Sequence, residues 1–340
     1  MLLAEPRGFC AGVEMAIKAL AWMVRVFEPP VYCYHEIVHN RLVVEEFQRQ
    51  GVVFVDDVDD VPAGAPLMLS AHGSAPEVES AAAERSRTVV NAVCPLVTKV
   101  HHELKVRASK GYTVVYVGHA GHEEAIGTMA VAPAAVRLVE SEADVDALED
   151  PGTPVALLAQ TTLPHDEWLG VADRARERFP ELWMPGRSDL CYATTNRQSA
   201  LRAIAGRCDT VVVIGSANSS NTVSLAHVAA ATGCARVLRV NSAAELPDDL
   251  SGVVGVTAGA SAPEWLVDDV LARLAPSAGV EVVRTVDEQE YFPPPPELRD
   301  LLRAIASAAS VALGVPPSGS HASAEDRTVP AARMLAAEPA

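Results

Sequence analysis

The stretch Thr113-Val-Val-Tyr-Val117-Gly-His-Ala-Gly-His122-Glu-Glu124 consists of a short apolar run followed at once by a polar, glycine-containing loop. A run of this length that is apolar throughout is typical of a strand buried on both faces of a parallel sheet. The same pattern recurs along the chain, with runs at 31–34, 67–70, 155–159, 211–214 and 253–257. The sequence therefore predicts six interior strands.

Helical patterns lie between these runs, at 76–86, 99–109, 170–179 and 264–274. Alternating strands and helices predict an α/β architecture. In such sheets ligands bind outside the carboxyl ends of the strands. Every predicted strand end carries His, Thr, Ser, Asn or Glu, so we expect these loops to form a functional site.

Three cysteines, Cys10, Cys94 and Cys191, each stand where a neutral or apolar stretch stops and a helical pattern starts. A helix N-terminus favours a thiolate, and a thiolate-ligated iron–sulfur cluster is anionic. Three such thiols, spaced by about one small domain each, indicate a shared metal site with one open coordination position. Zinc is the rival metal, since three thiolates also bind it with an open position. The remaining cysteines lack the helix-start pattern and are expected to be small buried residues: Cys33, Cys208 and Cys234.

The composition excludes several classes of function. The chain has 340 residues, of which 49% are hydrophobic, and a net charge of −17. This length allows two or three domains, and this charge argues against nucleic acid or an acidic membrane surface as the main partner. The sequence shows neither a long apolar run nor a basic region followed by an apolar stretch at its start. We therefore expect a cytoplasmic protein without a membrane span or secretory signal.

The polar loops carry donors suited to an anion. The residues concerned are His39, His72, His122, Ser219, Ser220, Asn221 and Ser261. Imidazole, hydroxyl, amide and backbone N–H groups are adequate donors to phosphate oxygens, so their convergence predicts a phosphate or diphosphate pocket. Glu124, two residues after His122, is a candidate proton donor.

Nine blocks follow one another from residue 1 to about 298: Pro6-Arg-Gly-Phe-Cys10-Ala-Gly-Val, His35-Glu-Ile-Val-His39-Asn-Arg, Ser70-Ala-His72-Gly, Cys94-Pro-Leu-Val-Thr-Lys-Val-His101, Gly118-His-Ala-Gly-His122-Glu-Glu124, Gln160-Thr-Thr-Leu163, Cys191-Tyr-Ala-Thr-Thr-Asn-Arg-Gln198, Asn218-Ser-Ser-Asn221 and Thr257-Ala-Gly-Ala-Ser261-Ala-Pro. Together they resemble the 4-hydroxy-3-methylbut-2-enyl diphosphate reductases, also called LytB. These iron–sulfur oxidoreductases catalyse the last step of the methylerythritol phosphate route of isoprenoid biosynthesis.

The resemblance implies a three-lobed, pseudo-threefold trefoil of small, mostly parallel α/β domains around a central [4Fe–4S] cluster. The expected lobes are 1–93 with Cys10, 94–190 with Cys94 and 191–298 with Cys191, followed by a tail. That tail, residues 299–340, is rich in Ala, Pro and Ser, and we expect most of it to be disordered and dispensable for chemistry.

The resemblance also implies the roles of individual residues. Cys10, Cys94 and Cys191 hold the cluster and leave one iron open. The substrate diphosphate binds to His39, His72, His122, Ser219, Ser220, Asn221 and Ser261. Glu124 gives the proton and Thr161 orients the substrate hydroxyl. An external reductant, ferredoxin or flavodoxin, supplies two electrons.

Some positions depart from the family's commonest pattern: Glu5, Asn91, Ala130 and Thr222. None is a ligand in the implied site, so they bear on cluster tuning or loop closure, and a divergent second copy of the enzyme is one interpretation. Two other functions compete: a redox sensor that binds a cluster without catalysis, and an iron–sulfur hydro-lyase, which needs no net electrons.

Overall fold

The computed structural model describes residues 1–313 and 326–336, which form an α/β fold with three parallel sheets. This confirms the predicted fold class. Two compact units can be distinguished. Unit 1 comprises Met1–Cys10, His72–Pro76 and Pro95–Glu288. Unit 2 comprises Ala11–Ala71, Glu77–Cys94 and the described residues from 289 onward.

Strands and helices alternate along most of the chain. The strands are β1 (Leu2–Glu5), β2 (Val31–Tyr34), β3 (Val52–Val55), β4 (Leu67–Leu69), β5 (Val89–Asn91), β6 (Thr113–Val117), β7 (Val136–Val139), β8 (Val155–Ala159), β9 (Thr210–Ile214), β10 (Arg236–Val240), β11 (Val254–Ala258) and β12 (Glu281–Arg284). The helices are α1 (Ala11–Val26), α2 (Arg41–Arg49), α3 (Pro76–Arg85), α4 (Pro95–Ser109), α5 (Glu123–Ala130), α6 (Glu142–Ala147), α7 (His165–Arg178), α8 (Tyr192–Ala205), α9 (Ser220–Ala231), α10 (Glu264–Leu274), α11 (Pro296–Leu313) and α12 (Ala331–Ala336). Within 1–313 and 326–336, none of these helices combines the length and the apolar character that crossing a membrane requires.

Unit 1 contains two of the sheets, with strand orders β10-β9-β11-β1-β12 and β7-β6-β8. Strands β6 and β8 pair in parallel, with Val117 opposite Ala159 at their carboxyl ends. Because both strands end at the same sheet edge, the loops that follow them begin side by side. This register brings the segment that leads to Glu124 next to the segment that leads to Thr161.

Unit 2 contains the third sheet, in the order β3-β2-β4-β5. Its helix α2 begins directly after His39 and Asn40. The Asn40 side chain accepts hydrogen bonds from the backbone N–H groups of Leu42 and Val43, at 3.1 and 3.2 Å. Such an N-cap satisfies donors at the helix start, and here it fixes the backbone next to His39.

The first strand lies outside the lobe expected for residues 1–93. Strand β1 is inserted between β11 and β12, with Leu2 opposite both Gly255 and Glu281. Leu2, Leu3 and the strand's alanine are buried there, which gives these apolar side chains a place in the core of unit 1. The stretch 1–10 therefore belongs with residues 210–284 rather than with the sheet that follows it.

The tail is ordered over more of its length than we expected. Helix α11 covers Pro296–Leu313, which includes the first part of the expected tail, and α12 packs on α1 and α2. Leu335 is fully buried, and Lys18 of α1, itself 5% exposed, donates to the Asp326 carbonyl oxygen at 2.8 Å. The expected disorder of 314–325 and 337–340 lies outside the described residues.

Candidate functional site

Glu124 and Thr161 form a buried pair in unit 1. Their residues are 3% and 5% exposed. The backbone N–H of Thr161 donates to Glu124 Oε1 at 2.7 Å, and the Thr161 hydroxyl donates to Glu124 Oε2 at 3.0 Å. Nearby, burial raises the pKa of Tyr116 well above its ordinary value, and the Glu124 charge adds to that increase. Glu124 thus lies in an environment poor in water, with its carboxyl group directed at the Thr161 hydroxyl.

The start of α5 places three further side chains. His122 is the N-cap, and its Nδ1 accepts a hydrogen bond from the Glu124 backbone N–H at 3.1 Å. Oε2 of Glu123 lies 2.7 Å from Nδ1 of His72. The rings of His72 and His122 meet edge to face, with centroids 6.4 Å apart. The two histidines predicted from separate strand ends therefore lie together at one helix N-terminus.

Two glycines allow the loop of His72 to approach α5. Gly73 has φ +85°, a conformation that side chains disfavour. A Cβ atom placed on Gly127 would lie 2.7 Å from the Gly73 carbonyl oxygen. The loop and the helix are therefore in backbone contact, which fixes the distance between His72 and the first turn of α5.

The start of α9 supplies the hydroxyl and amide groups. Ser219 is its N-cap, and its hydroxyl lies 3.4 Å from that of Ser261. Asn221 Oδ1 accepts from the Ala260 N–H at 2.9 Å. The three predicted residues Ser219, Asn221 and Ser261 are all at most 6% exposed, so β9 and β11 bring them together at one edge of their sheet.

Ser220 links this group to the loop of Thr161. Its hydroxyl accepts a hydrogen bond from Thr162 Oγ1 at 3.0 Å. Thr194 donates to the Thr161 carbonyl oxygen at 3.2 Å and lies 3.5 Å from the Asn221 amide. The serine-rich and threonine-rich loops of unit 1 therefore form one connected polar network.

Two of the predicted cysteines border this network. Cys191 is the N-cap of α8, and its N–H donates to the Thr161 carbonyl oxygen at 2.9 Å. Cys10 immediately precedes α1, and its N–H donates to the Ala260 carbonyl oxygen at 3.2 Å. Both residues are partly exposed and neither forms a disulfide. Each thiol thus lies at a helix start, as predicted.

Arg197 connects the segments that carry these cysteines. It is fully buried on α8 and donates to the carbonyl oxygens of Gly8, at 2.7 and 3.0 Å, and of Phe9 at 3.2 Å. Its guanidinium also pairs with Glu288 at 3.0 Å. The backbone that leads into Cys10 is therefore held by a side chain of the helix that Cys191 begins.

Cys94 and His39 belong to unit 2. Cys94 is partly exposed and stands directly before α4, and its N–H donates to the Ala71 carbonyl oxygen at 3.0 Å. His39 Nδ1 lies 3.4 Å from Glu36 Oε2. Cys94 thus shares the helix-start position of Cys10 and Cys191.

Comparison with known proteins identifies the family. The family model described as LytB protein matches residues 1–275. The chain belongs to the LytB family. A relative from Rhodopirellula baltica named 4-hydroxy-3-methylbut-2-enyl diphosphate reductase is 49% identical over 307 residues, covering 88% of this chain and 95% of the relative. A Mycobacterium leprae protein of the same name is 48% identical over 306 residues, covering 88% and 92%.

Solved structures give the same result. The structure of the E-1-hydroxy-2-methyl-but-2-enyl-4-diphosphate reductase from Plasmodium falciparum superposes with a TM-score of 0.87 at 32% identity, covering 90% of this chain and 98% of that one. The structure of an (E)-4-hydroxy-3-methyl-but-2-enyl diphosphate reductase, described as the terminal enzyme of the non-mevalonate pathway, gives 0.60 at 30% identity, covering 80% and 98%. The chain is thus an enzyme of the LytB reductase family, which catalyses reductive dehydroxylation in isoprenoid biosynthesis.

Several residues around this candidate site were not assigned a role from the sequence. Arg197 stands inside a block that we quoted, yet its partner Glu288 is remote in sequence. Asp189, two residues before Cys191, receives hydrogen bonds from Lys99 and from the Ala159 N–H, both at 3.2 Å. Burial raises the pKa of Asp189 and Lys99 opposes that increase. An acidic residue two positions before the candidate ligand Cys191 was the available signal.

Proposed function

We propose that the chain reduces (E)-4-hydroxy-3-methylbut-2-enyl diphosphate to isopentenyl and dimethylallyl diphosphate. The observation that carries the proposal is the buried Glu124–Thr161 pair within a network of hydroxyl and amide groups. A proton donor beside anion-binding groups is what removal of a hydroxyl from a diphosphate ester requires. The relatives that bear the reductase name are similar over most of their length.

The cluster would be held by Cys10, Cys94 and Cys191. The donor set fits it, because each of the three stands at a helix start and is partly exposed, and thiolates are the usual ligands of a [4Fe–4S] cluster. When bound, the cluster supplies two electrons and a Lewis-acidic iron that lacks a protein ligand. Zinc would also accept three thiolates, so metal analysis and sulfide content distinguish the two.

The diphosphate would be bound by residues that offer N–H and O–H donors. They are His39, His72, His122, Ser219, Ser220, Asn221 and Ser261. Burial of Ser219, Asn221 and Ser261 strengthens their hydrogen bonds to an anion, because less water competes for the oxygens. No lysine or arginine is needed in this set.

Glu124 and Thr161 would act on the substrate hydroxyl. The C–O bond breaks as two electrons enter, one proton leaves with the oxygen as water, and a second proton reaches either end of the allylic system. Glu124 provides the first proton through the Thr161 hydroxyl, which lies 3.0 Å from the carboxylate. In the structure both carboxylate oxygens of Glu124 accept hydrogen bonds from Thr161, which joins the carboxyl group to that hydroxyl.

The electrons would come from ferredoxin or flavodoxin in the cytoplasm. Such carriers are usually acidic, and this chain has a net charge of −17. Docking therefore requires a local surface whose charge differs from the negative average of the chain, since like charges repel at long range.

The proposal is tested by anaerobic turnover. The reconstituted enzyme receives reduced viologen and the hydroxylated C5 diphosphate, and viologen oxidation is compared with product formed. Glu124→Gln is expected to retain substrate binding and to lose turnover by ~10²–10⁴. Glu142→Gln, a first-turn glutamate of α6 that is exposed, serves as the matched control.

Two outcomes would contradict the proposal. A bound cluster without substrate-dependent oxidation would favour a redox sensor. Conversion of substrate without consumption of reductant would favour a hydro-lyase. Near-normal turnover of Glu124→Gln would leave the reductase assignment intact and remove the proton-donor role.

A further inference from the structure

The first turn of α5 carries two adjacent carboxylates with different partners. Glu124 accepts two hydrogen bonds from Thr161. Glu123 lies 2.7 Å from Nδ1 of His72. Consecutive helical residues point about 100° apart, so one turn can serve two separate groups. The proposed reaction uses Glu124 and leaves Glu123 without a role.

The contact with Glu123 fixes the protonation of one ring atom of His72. An unprotonated ring nitrogen and a carboxylate oxygen 2.7 Å apart would repel each other, so Nδ1 of His72 carries a proton in this ion-pair contact. His122 shows the opposite arrangement, because its Nδ1 accepts from the Glu124 N–H and its ring proton is therefore on Nε2 when the ring is neutral. The two neighbouring histidines thus differ at Nδ1, which carries a proton in His72 and accepts one hydrogen bond in His122.

We infer that Glu123 is a positioning residue that turns His72 into a cationic donor for the substrate diphosphate. With Nδ1 directed at Glu123, His72 can donate to a phosphate oxygen only through a protonated Nε2, which gives the ring a positive charge. The Glu123 carboxylate balances that charge and holds the ring plane. This inference rests on the proposed function, in which His72 contacts the diphosphate.

The surroundings of His72 in unit 1 are compatible with a charged ring. The titratable groups near it there are Glu123, His122 and His101, whose ring lies against Gly73. Burial lowers the pKa of His101 to about 4, so His101 is neutral near pH 7 and does not repel a His72 cation. The side chains of His72 and Glu123 are 14% and 23% exposed, so a ligand can reach them and substitution leaves the core intact.

The test uses the reconstituted enzyme and two ligands, the C5 substrate and inorganic diphosphate. We expect Glu123→Gln to raise both KM and the Kd of diphosphate about tenfold or more, with kcat nearly unchanged, because a charge-assisted hydrogen bond is weakened. Glu123→Asp should recover part of the affinity. Glu142→Gln should change neither value.

A double-mutant cycle separates positioning from general damage. If Glu123 acts through His72, then Glu123→Gln has no further effect on diphosphate binding in a His72→Gln background. Additive effects, or an unchanged Kd in Glu123→Gln, would overturn the inference. Failure of the wild-type enzyme to turn over the C5 substrate, with the diphosphate cycle still non-additive, would instead refute the proposed reaction and leave the inference standing.

Discussion

Replacement of Arg197 by methionine tests how strongly the buried guanidinium holds unit 1 together. Methionine keeps much of the side-chain length but removes every donor. Glu288, whose carboxylate is 16% exposed in the pair, then loses its cationic partner at 3.0 Å and keeps the hydrogen bond from the Asn196 amide. The carbonyl oxygens of Gly8 and Phe9 lose their Arg197 donors. Breaking a buried ion pair from one side costs about 3–5 kcal/mol. We expect Arg197→Met to lower the free energy of unfolding by an amount in that range.

The matched control lies on the same helix. Arg202 pairs with Asp166 at 2.8 Å, but its side chain is 34% exposed and that of Asp166 is 72% exposed. Arg202→Met should therefore cost less than about 1 kcal/mol. The double variant Arg197→Met/Glu288→Gln should recover part of the loss, because no charge is then left without a partner.

Urea denaturation under anaerobic conditions compares the stability of the wild-type protein with that of these variants. Tryptophan fluorescence reports mainly on unit 1, since Trp168, Trp183 and Trp265 lie there and only Trp22 lies in unit 2. A midpoint for Arg197→Met that falls no further than that for Arg202→Met would refute the reasoning from burial. A further fall on adding Glu288→Gln would refute the explanation by an unpartnered charge.

Two other predictions concern pH and the tail. The folded state holds His101 with a pKa of about 4, below the usual 6.5, so the unfolded state binds the proton first and stability should fall by up to ~3 kcal/mol as pH drops from about 6.5 to 4. His101→Gln should flatten that part of the curve of urea midpoint against pH, and identical slopes would contradict the prediction. Ending the chain after residue 325 removes buried Met334 and Leu335 and the carbonyl partner of Lys18, which should cost about 3–5 kcal/mol. Thermal unfolding of the truncated protein measures this loss of stability. An unchanged Tm would show that the tail contact contributes little.

Most of the strands that the sequence predicted are buried at nearly every position, and β2, in which buried and half-buried residues alternate, is the exception. The six apolar runs correspond to β2, β4, β6, β8, β9 and β11, within one residue at each end. In the described part of the chain, the strands without such a signal are mostly sheet edges: β3, β5, β7, β10 and β12. These strands have partly or fully exposed positions, as in Glu281–Arg284, so their hydrophobic pattern is broken. Strand β8, which is also at a sheet edge, is buried throughout and was predicted. Strand β1 is interior but short, and its partners are remote in sequence.

The chemistry of the site could be predicted better than its geometry. Strand ends identified the loops of His122 and Thr161, and the register of β6 with β8 explains why their segments meet. That register depends on packing, which no local pattern encodes. Arg197 shows most clearly the limit of prediction from the sequence. A charged residue inside a helix normally indicates a solvated face, whereas here the surrounding carbonyl oxygens and Glu288 make full burial favourable.

The position of β1 between β11 and β12 has a consequence for synthesis on the ribosome. Leu2 emerges long before its partners Gly255 and Glu281 exist. At translation rates of roughly 5–20 residues per second, the delay is on the order of tens of seconds. During that interval the nascent chain exposes an apolar strand whose neighbours have not been translated, while the sheet of 31–91 already has all of its strands. The order of folding is therefore expected to differ from the order of translation, with the earliest strand among the last to be paired.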